Sequence, residues 1–237
     1  MAIKRTKLAD RKLPDYTKGE EKMNMITHIV GGGLGIVMAI LCVIFSITGG
    51  DTYSIVSSFI YGFSVILLFT MSSIYHGLHT PMAKKVMQVL DHCTIFILIA
   101  GTYTPYSLAA IRRVSPVTGW VLFGVVWAAA ILGIVLNAID LKSFKKFSLI
   151  CYVALGWTAI LTVKPLIEAI TVPGFIYLIL GGISYTIGAV LYGISSKSNS
   201  KYKYMHAIFH LFVVVASILH FVSVFFYAIV WQNINII

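Results

Sequence analysis

Charge is scarce in this 237-residue chain. Charged residues make up 11% of it, against about a quarter in ordinary soluble domains. Acids are scarcer still, with 8 Asp and Glu against 18 Lys and Arg. Combined with 59% hydrophobic residues, this excludes a soluble globular protein. Only three cysteines occur, Cys42, Cys93 and Cys151, and none is paired in spacing with another, so neither a disulfide framework nor a cysteine-based metal site is expected. The apolar runs lack the two-residue alternation that a membrane β-barrel requires. The polar first 25 residues, "MAIKRTKLADRKLPDYTKGEEKMNM", contain no short apolar core leading to a small-residue cleavage site, so no removable signal peptide is expected.

What is there is a series of apolar runs, each near the roughly 20 residues that cross a bilayer core as helix. Seven are legible: Ile26 to Ile47, Thr52 to Tyr75, Asp91 to Ala110, Val117 to Ile139, Phe147 to Val163, Pro173 to Ile194 and Tyr204 to Trp231. The expected fold is therefore an all-α integral membrane protein, residues 26–237 forming a seven-helix bundle behind a polar, basic N-terminal segment of residues 1–25. The net charge of +10 does not point to nucleic acid, because it is unevenly distributed. Alternating segments between the runs hold Lys4, Arg5, Lys7, Arg11, Lys12, Lys18, Lys22, then Lys84 and Lys85, then Lys142, Lys145 and Lys146, then Lys197, Lys201 and Lys203. The intervening segments hold only Arg112, Arg113 and Lys164. Basic residues concentrate in cytoplasmic loops, so the N-terminus is expected inside and the C-terminus outside. The basic first segment then reads as an orientation signal with affinity for anionic headgroups.

That topology puts several polar residues at one depth. The second run ends in "TMSSIYHGLH", which carries Ser72 and His76 to the cytoplasmic side. The seventh run starts there with His206 and His210, the third with Asp91 and His92, and the first with Asn24, Thr27 and His28. Ionisable residues inside a membrane are costly and normally face a bundle interior, a water-filled cavity or a metal. His206 and His210 are four apart, on successive turns of one helix face, and imidazole is a favoured zinc ligand. Three histidines with an open fourth position would match a catalytic zinc site, with His76, His206 and His210 as ligands. Asp91 could then bind or orient a water, with Ser72 hydrogen-bonding from one turn deeper. Each residue also has a simpler reading. Asp91 could cap the third helix, Ser72 could bond back to its own helix carbonyl, and Thr27 with His28 could be a packing or capping pair. His79 sits in a loop, and His220 lies about 15 Å beyond His210 at the helical rise, so neither belongs with the expected ligands.

The segments "SSIYH", "LDHCTIFILIAGTYTPY", "HAIFH" followed by "LH", and "EEKMNMITHIVGG" resemble the haemolysin III branch of the progestin and adipoQ receptor (PAQR) family. The resemblance runs from Glu20 onward through nearly the whole chain. It implies seven N-inside helices with zinc near the cytoplasmic face, the zinc histidines falling on His76, His206 and His210, the water-binding aspartate on Asp91 and the second-helix serine on Ser72. The wider group is similar to alkaline ceramidases, which implies zinc-dependent hydrolysis of a lipid amide or ester, with membrane lipids as substrates or ligands. With only a short polar N-terminal segment and no extracellular C-terminal domain expected, a protein-hormone receptor is disfavoured. Two other roles stay open: a regulator or sensor of membrane fluidity with structural zinc, and a lytic pore. The pore is disfavoured because no run carries a polar stripe along its whole length.

Overall fold

The computed structural model describes residues 5–195 and 202–234; Lys4, Lys197 and Lys201, counted in the charge asymmetry, lie outside them. Helix α1 (Lys18–Gly49) begins eight residues before the first apolar run, at a capping box. Glu20 N–H donates to Thr17 Oγ1 at 3.3 Å, and Thr17 N–H donates to Glu20 Oε2 at 2.9 Å, so two of the orphan amides of the helix start are satisfied reciprocally. Part of the segment read as a polar tail is thus helix, and it carries Glu20, Glu21 and Asn24 into the bundle. Gly50 closes α1 in the left-handed conformation (φ 70°), and Asp51 caps α2 (Thr52–Gly77) by accepting Ser54 N–H at 2.9 Å.

Helix α3 (Pro81–Thr104) opens with proline in its first turn, where no amide partner is needed. Asp91 therefore lies ten residues into α3, and the reading of Asp91 as its cap is incorrect. Pro105 has no N–H to donate, and the helix widens there into a π-helical turn, Pro105–Ile111. The three-residue α4 (Arg112–Val114) follows. Its arginines meet the α1–α2 turn: Arg113 Nη2 lies 3.0 Å from an Asp51 oxygen, and Arg112 lies over the Tyr53 ring at 3.6 Å. Burial raises the Asp51 carboxyl, but hydrogen bonds from Ser54 and the nearby Arg113 outweigh it and hold Asp51 below its ordinary value.

Helices α5 (Pro116–Gly156) and α6 (Val163–Ser195) are joined by a 3-10 turn, Thr158–Thr162. Together they form an 80-residue helical stretch, about 120 Å if it were straight. It is not straight. Asp140 breaks α5 (φ −157°, ψ 87°), and Thr171, two residues before Pro173, breaks α6 (φ 63°, ψ 168°). Helix α7 (Met205–Val222) continues through a second π-helical turn, Ser223–Val230, into α8 (Trp231–Ile234).

Five of these stretches are long and apolar enough to cross a membrane: Lys18–Gly49, Thr52–Gly77, Pro81–Val114, Pro116–Ser195 and Met205–Ile234. They close into a ring in which α1 contacts α2 and α7, α2 contacts α3, α3 contacts α5, and α6 contacts α7. Large apolar side chains such as Ile44, Phe63, Val121 and Leu211 point outward and are exposed, which water would penalise and lipid accepts. Inside, small residues allow close approach: a Cβ on Gly101 of α3 would collide with Ser64 Oγ of α2.

The Asp140 break is an internal N-cap. The carboxylate accepts Lys142 N–H at 3.0 Å, Ser143 N–H at 3.2 Å and Ser143 Oγ at 2.8 Å, and it also accepts Thr6 N–H at 2.8 Å. It thereby starts the second half of α5 and ties the N-terminal strand of chain to it. Asp140→Ala should destabilise the purified protein by about 0.5–2 kcal/mol, the usual loss of a cap, whereas Asp140→Asn should retain most of the stability because Asn caps as well as Asp. Thermal unfolding followed by tryptophan fluorescence checks both; equal melting temperatures for wild type and Ala would remove the cap.

Candidate metal centre and cavity

The last turn of α2 and the first turns of α7 lie at the same end of the bundle, so His76 faces His206 and His210. All three are buried, and one ring nitrogen from each lies within 4.8 Å of the others. Among the described residues this is the group of His, Cys, Asp and Glu that could hold a metal ion. The other ring atoms show how each imidazole is oriented. His76 Nδ1 lies 2.7 Å from Glu21 Oε2. A carboxylate only accepts, so Nδ1 carries the proton and Nε2 keeps its lone pair. That Nε2 is buried without a partner. His210 Nδ1 donates to Asn24 O at 3.2 Å, which leaves its Nε2 as the lone-pair atom. His206 Nδ1 is likewise buried without a partner. Buried polar atoms are almost always satisfied, and a cation is the partner that converging imidazole lone pairs would accept together. The donor set therefore fits a metal.

Glu21, which the sequence reading passed over, orients the cluster. Besides His76 it pairs with Lys84, whose Nζ lies 2.8 Å from Glu21 Oε1, so Lys84 does more than add charge to a loop. Glu21 stands three residues before Asn24 and seven before His28 on α1, a helical-face spacing that could have flagged it. Asn24 Nδ2 also lies 3.5 Å from His76 Nδ1. Thr27 Oγ1 donates to its own helix carbonyls, Met23 O and Asn24 O, and sits 3.4 Å from His210 Nδ1. His28 stacks on His210 with ring centroids 3.7 Å apart. All three α1 residues named from the sequence thus touch the cluster. Tyr16, just before α1, covers it from outside, stacking on His206 at 5.1 Å. Burial pushes the Tyr16 phenol up, and Tyr192, Glu21, Asp91 and Glu20 add to the shift.

Asp91 and Ser72 stand apart from the three-nitrogen group but share a cavity with His206 and His210. All four residues line it at this end. It continues between α3, α5, α6 and α7 past Ile95, Ile99, Tyr152 and Val213 to Tyr106, Leu178 and His220. His92 lines it too: its Nδ1 bonds Gln88 O at 2.8 Å and lies 3.7 Å from Asp91 Oδ2, and its Nε2 bonds Tyr192 OH at 3.1 Å. His92 thereby links α3 to α6.

The chain also has relatives. A family model described as haemolysin-III related matches residues 16–221. "Hemolysin-3" of Bacillus cereus is 39% identical over 210 residues, covering 89% of this chain and 92% of that protein. "Hemolysin-3 homolog" of Bacillus subtilis (strain 168) is 36% identical over 214 residues, covering 90% and 97%. "Monocyte to macrophage differentiation factor" of Homo sapiens is 25% identical over 182 residues, covering 75% and 72%. The match from Tyr16 onward takes in Glu21, His76, Asp91, His206 and His210, and this chain, with its buried three-histidine cluster and its membrane-length helices, belongs to the haemolysin III family of membrane proteins.

Proposed function

We propose that the protein is a zinc-dependent hydrolase of lipid amides or esters, built from seven transmembrane segments with the N-terminus in the cytoplasm and the C-terminus outside. The seven-segment count is supported by the breaks at Asp140 and at Thr158–Thr162, which divide the 80-residue stretch, and the orientation by the uneven placement of lysine and arginine. The observation that carries the hydrolase reading is the convergence of three buried imidazole nitrogens, two of whose histidines, His206 and His210, line one largely apolar cavity together with Asp91 and Ser72.

His76, His206 and His210 would hold the ion, a three-imidazole set that suits zinc and leaves a position for water or substrate. Bound zinc supplies Lewis acidity, lowering the pKa of water from about 16 toward 7 and polarising a carbonyl. A carboxylate oxygen of Asp91 takes the proton from the attacking water and returns it to the leaving amine or alcohol. Ser72 donates its hydroxyl hydrogen to the developing oxyanion. The apolar walls take the acyl chain and exclude bulk water. Glu21 holds the Nδ1 proton of His76, keeping its Nε2 free and raising its basicity.

These roles give three expected outcomes. His76→Ala should abolish stoichiometric zinc in the purified protein. Glu21→Gln should weaken zinc binding by roughly 10- to 100-fold, the usual loss when a partner behind a metal-ligating histidine is removed. Both are read by metal analysis and chelator competition, and full zinc in His76→Ala would exclude the assignment. Asp91→Asn should keep its zinc while release of fatty acid from lipid amides and esters in bilayers falls by roughly 100- to 10,000-fold, as for a lost general base. Equal release from both proteins would remove Asp91 as base. No release from zinc-loaded wild type over a broad lipid panel would favour a membrane regulator in which the metal only ties α2 to α7.

A further inference from the structure

The cavity has a second polar pole that the proposed hydrolysis does not use. His220 lies ten residues beyond His210 on the unbroken α7, about 15 Å along its axis, and lines the far end of the same cavity. It is nine-tenths buried, with 9% of its surface exposed. Its Nε2 sits 3.1 Å from Leu178 O. A carbonyl only accepts, so Nε2 carries the proton and Nδ1 presents a lone pair. That Nδ1 is buried and has no partner.

The ring is held in this orientation. Its Cδ2–Nε2 edge lies against α6 at Gly181, where a Cβ would collide with it. The Tyr185 ring flanks it at 5.3 Å, with the Tyr185 hydroxyl engaged by Ser217 at 2.8 Å. With one edge of the imidazole against α6, the Nδ1 edge faces the other way. Whatever completes Nδ1 must donate a hydrogen bond, which a hydroxyl does and a carbonyl or an alkyl chain does not. Between the two poles the lining is chiefly apolar, with Ile95, Leu98, Ile99 and Val213 among its residues.

We propose that the cavity selects a lipid whose acyl chain carries a hydroxyl far from its carbonyl, the hydroxyl donating to His220 Nδ1 while the carbonyl lies at the three-histidine end. An extended chain advances about 1.2 Å per bond, so a separation of about 15 Å corresponds to roughly twelve bonds. Placing the carbonyl at the histidine cluster rests on the hydrolase reading; the acceptor at His220 does not.

The test uses full-length protein in nanodiscs and competition binding with three probes: octadecanoic acid, its 12-hydroxy derivative and its 7-hydroxy derivative. The 12-hydroxy acid should bind about three- to tenfold more tightly than the unsubstituted acid, the ratio one net hydrogen bond provides. The 7-hydroxy acid, with its hydroxyl against the apolar wall, should bind no better than the unsubstituted acid. His220→Phe should bring the 12-hydroxy preference to about one, and His220→Gln, whose amide oxygen can accept, should keep part of it. The position dependence in wild type stands as a test even if neither variant folds. Equal binding of all three acids would mean that water satisfies Nδ1 and would overturn the proposal, as would a preference that survives in His220→Phe or no binding of any acid. Preferential binding without cleavage of the matching amide would leave the His220 pole standing and remove the hydrolase. Cleavage without preference would do the reverse.

Discussion

A polar nitrogen buried without a partner costs roughly 1–3 kcal/mol, and the cytoplasmic end proposed for this protein concentrates such atoms at one point. His76 Nε2 and His206 Nδ1 are both buried and unpartnered beside His210. The surrounding residues increase the constraint instead of relieving it. Glu21 and Asn24 take up the opposite nitrogens of His76 and His210, and His28 stacks on His210, so the rings are held with their free nitrogens converging. A cation would relieve this arrangement, to which α1, α2 and α7 all contribute.

The same end of the bundle explains why the N-terminal region is folded against the helices. The capping box at Thr17 and Glu20 extends α1 past its apolar run and brings Glu21 level with His76. Tyr16 stacks on His206, and Thr6 reaches Asp140. A polar segment that composition alone assigns to orientation thus also supplies a hydrogen-bond partner to the three-histidine cluster and a cover above it. From this end the cavity runs inward to His220, so it has a polar pole at each extremity and a chiefly apolar lining between them.

Much of this was legible in the sequence, for identifiable reasons. Long apolar runs marked the helices because lipid-facing positions such as Phe63 and Leu211 must be apolar. The four-residue spacing of His206 and His210 placed them on one face, and run polarity placed His76 opposite. The break at Asp140 was legible as well, since the fourth run ends at Ile139 and the fifth begins at Phe147, but the side-chain capping that carries helix on through residues 142–146 was not, nor was the π-helical turn into which α3 widens at Pro105. Glu21 was missed because a glutamate three residues before Asn24 in a charged segment looks like solvated surface until α1 is known to begin at Lys18. His92, named from its depth beside Asp91, lines the same cavity as Asp91, with its ring nitrogens engaged by Gln88 and Tyr192.

The most direct measurement of the central claim is zinc K-edge X-ray absorption on the purified full-length protein. Three imidazole nitrogens at about 2.0–2.1 Å, completed by oxygen and without sulfur, are expected from His76, His206 and His210. Absence of stoichiometric zinc, or a shell containing thiolate sulfur at about 2.3 Å, would contradict it.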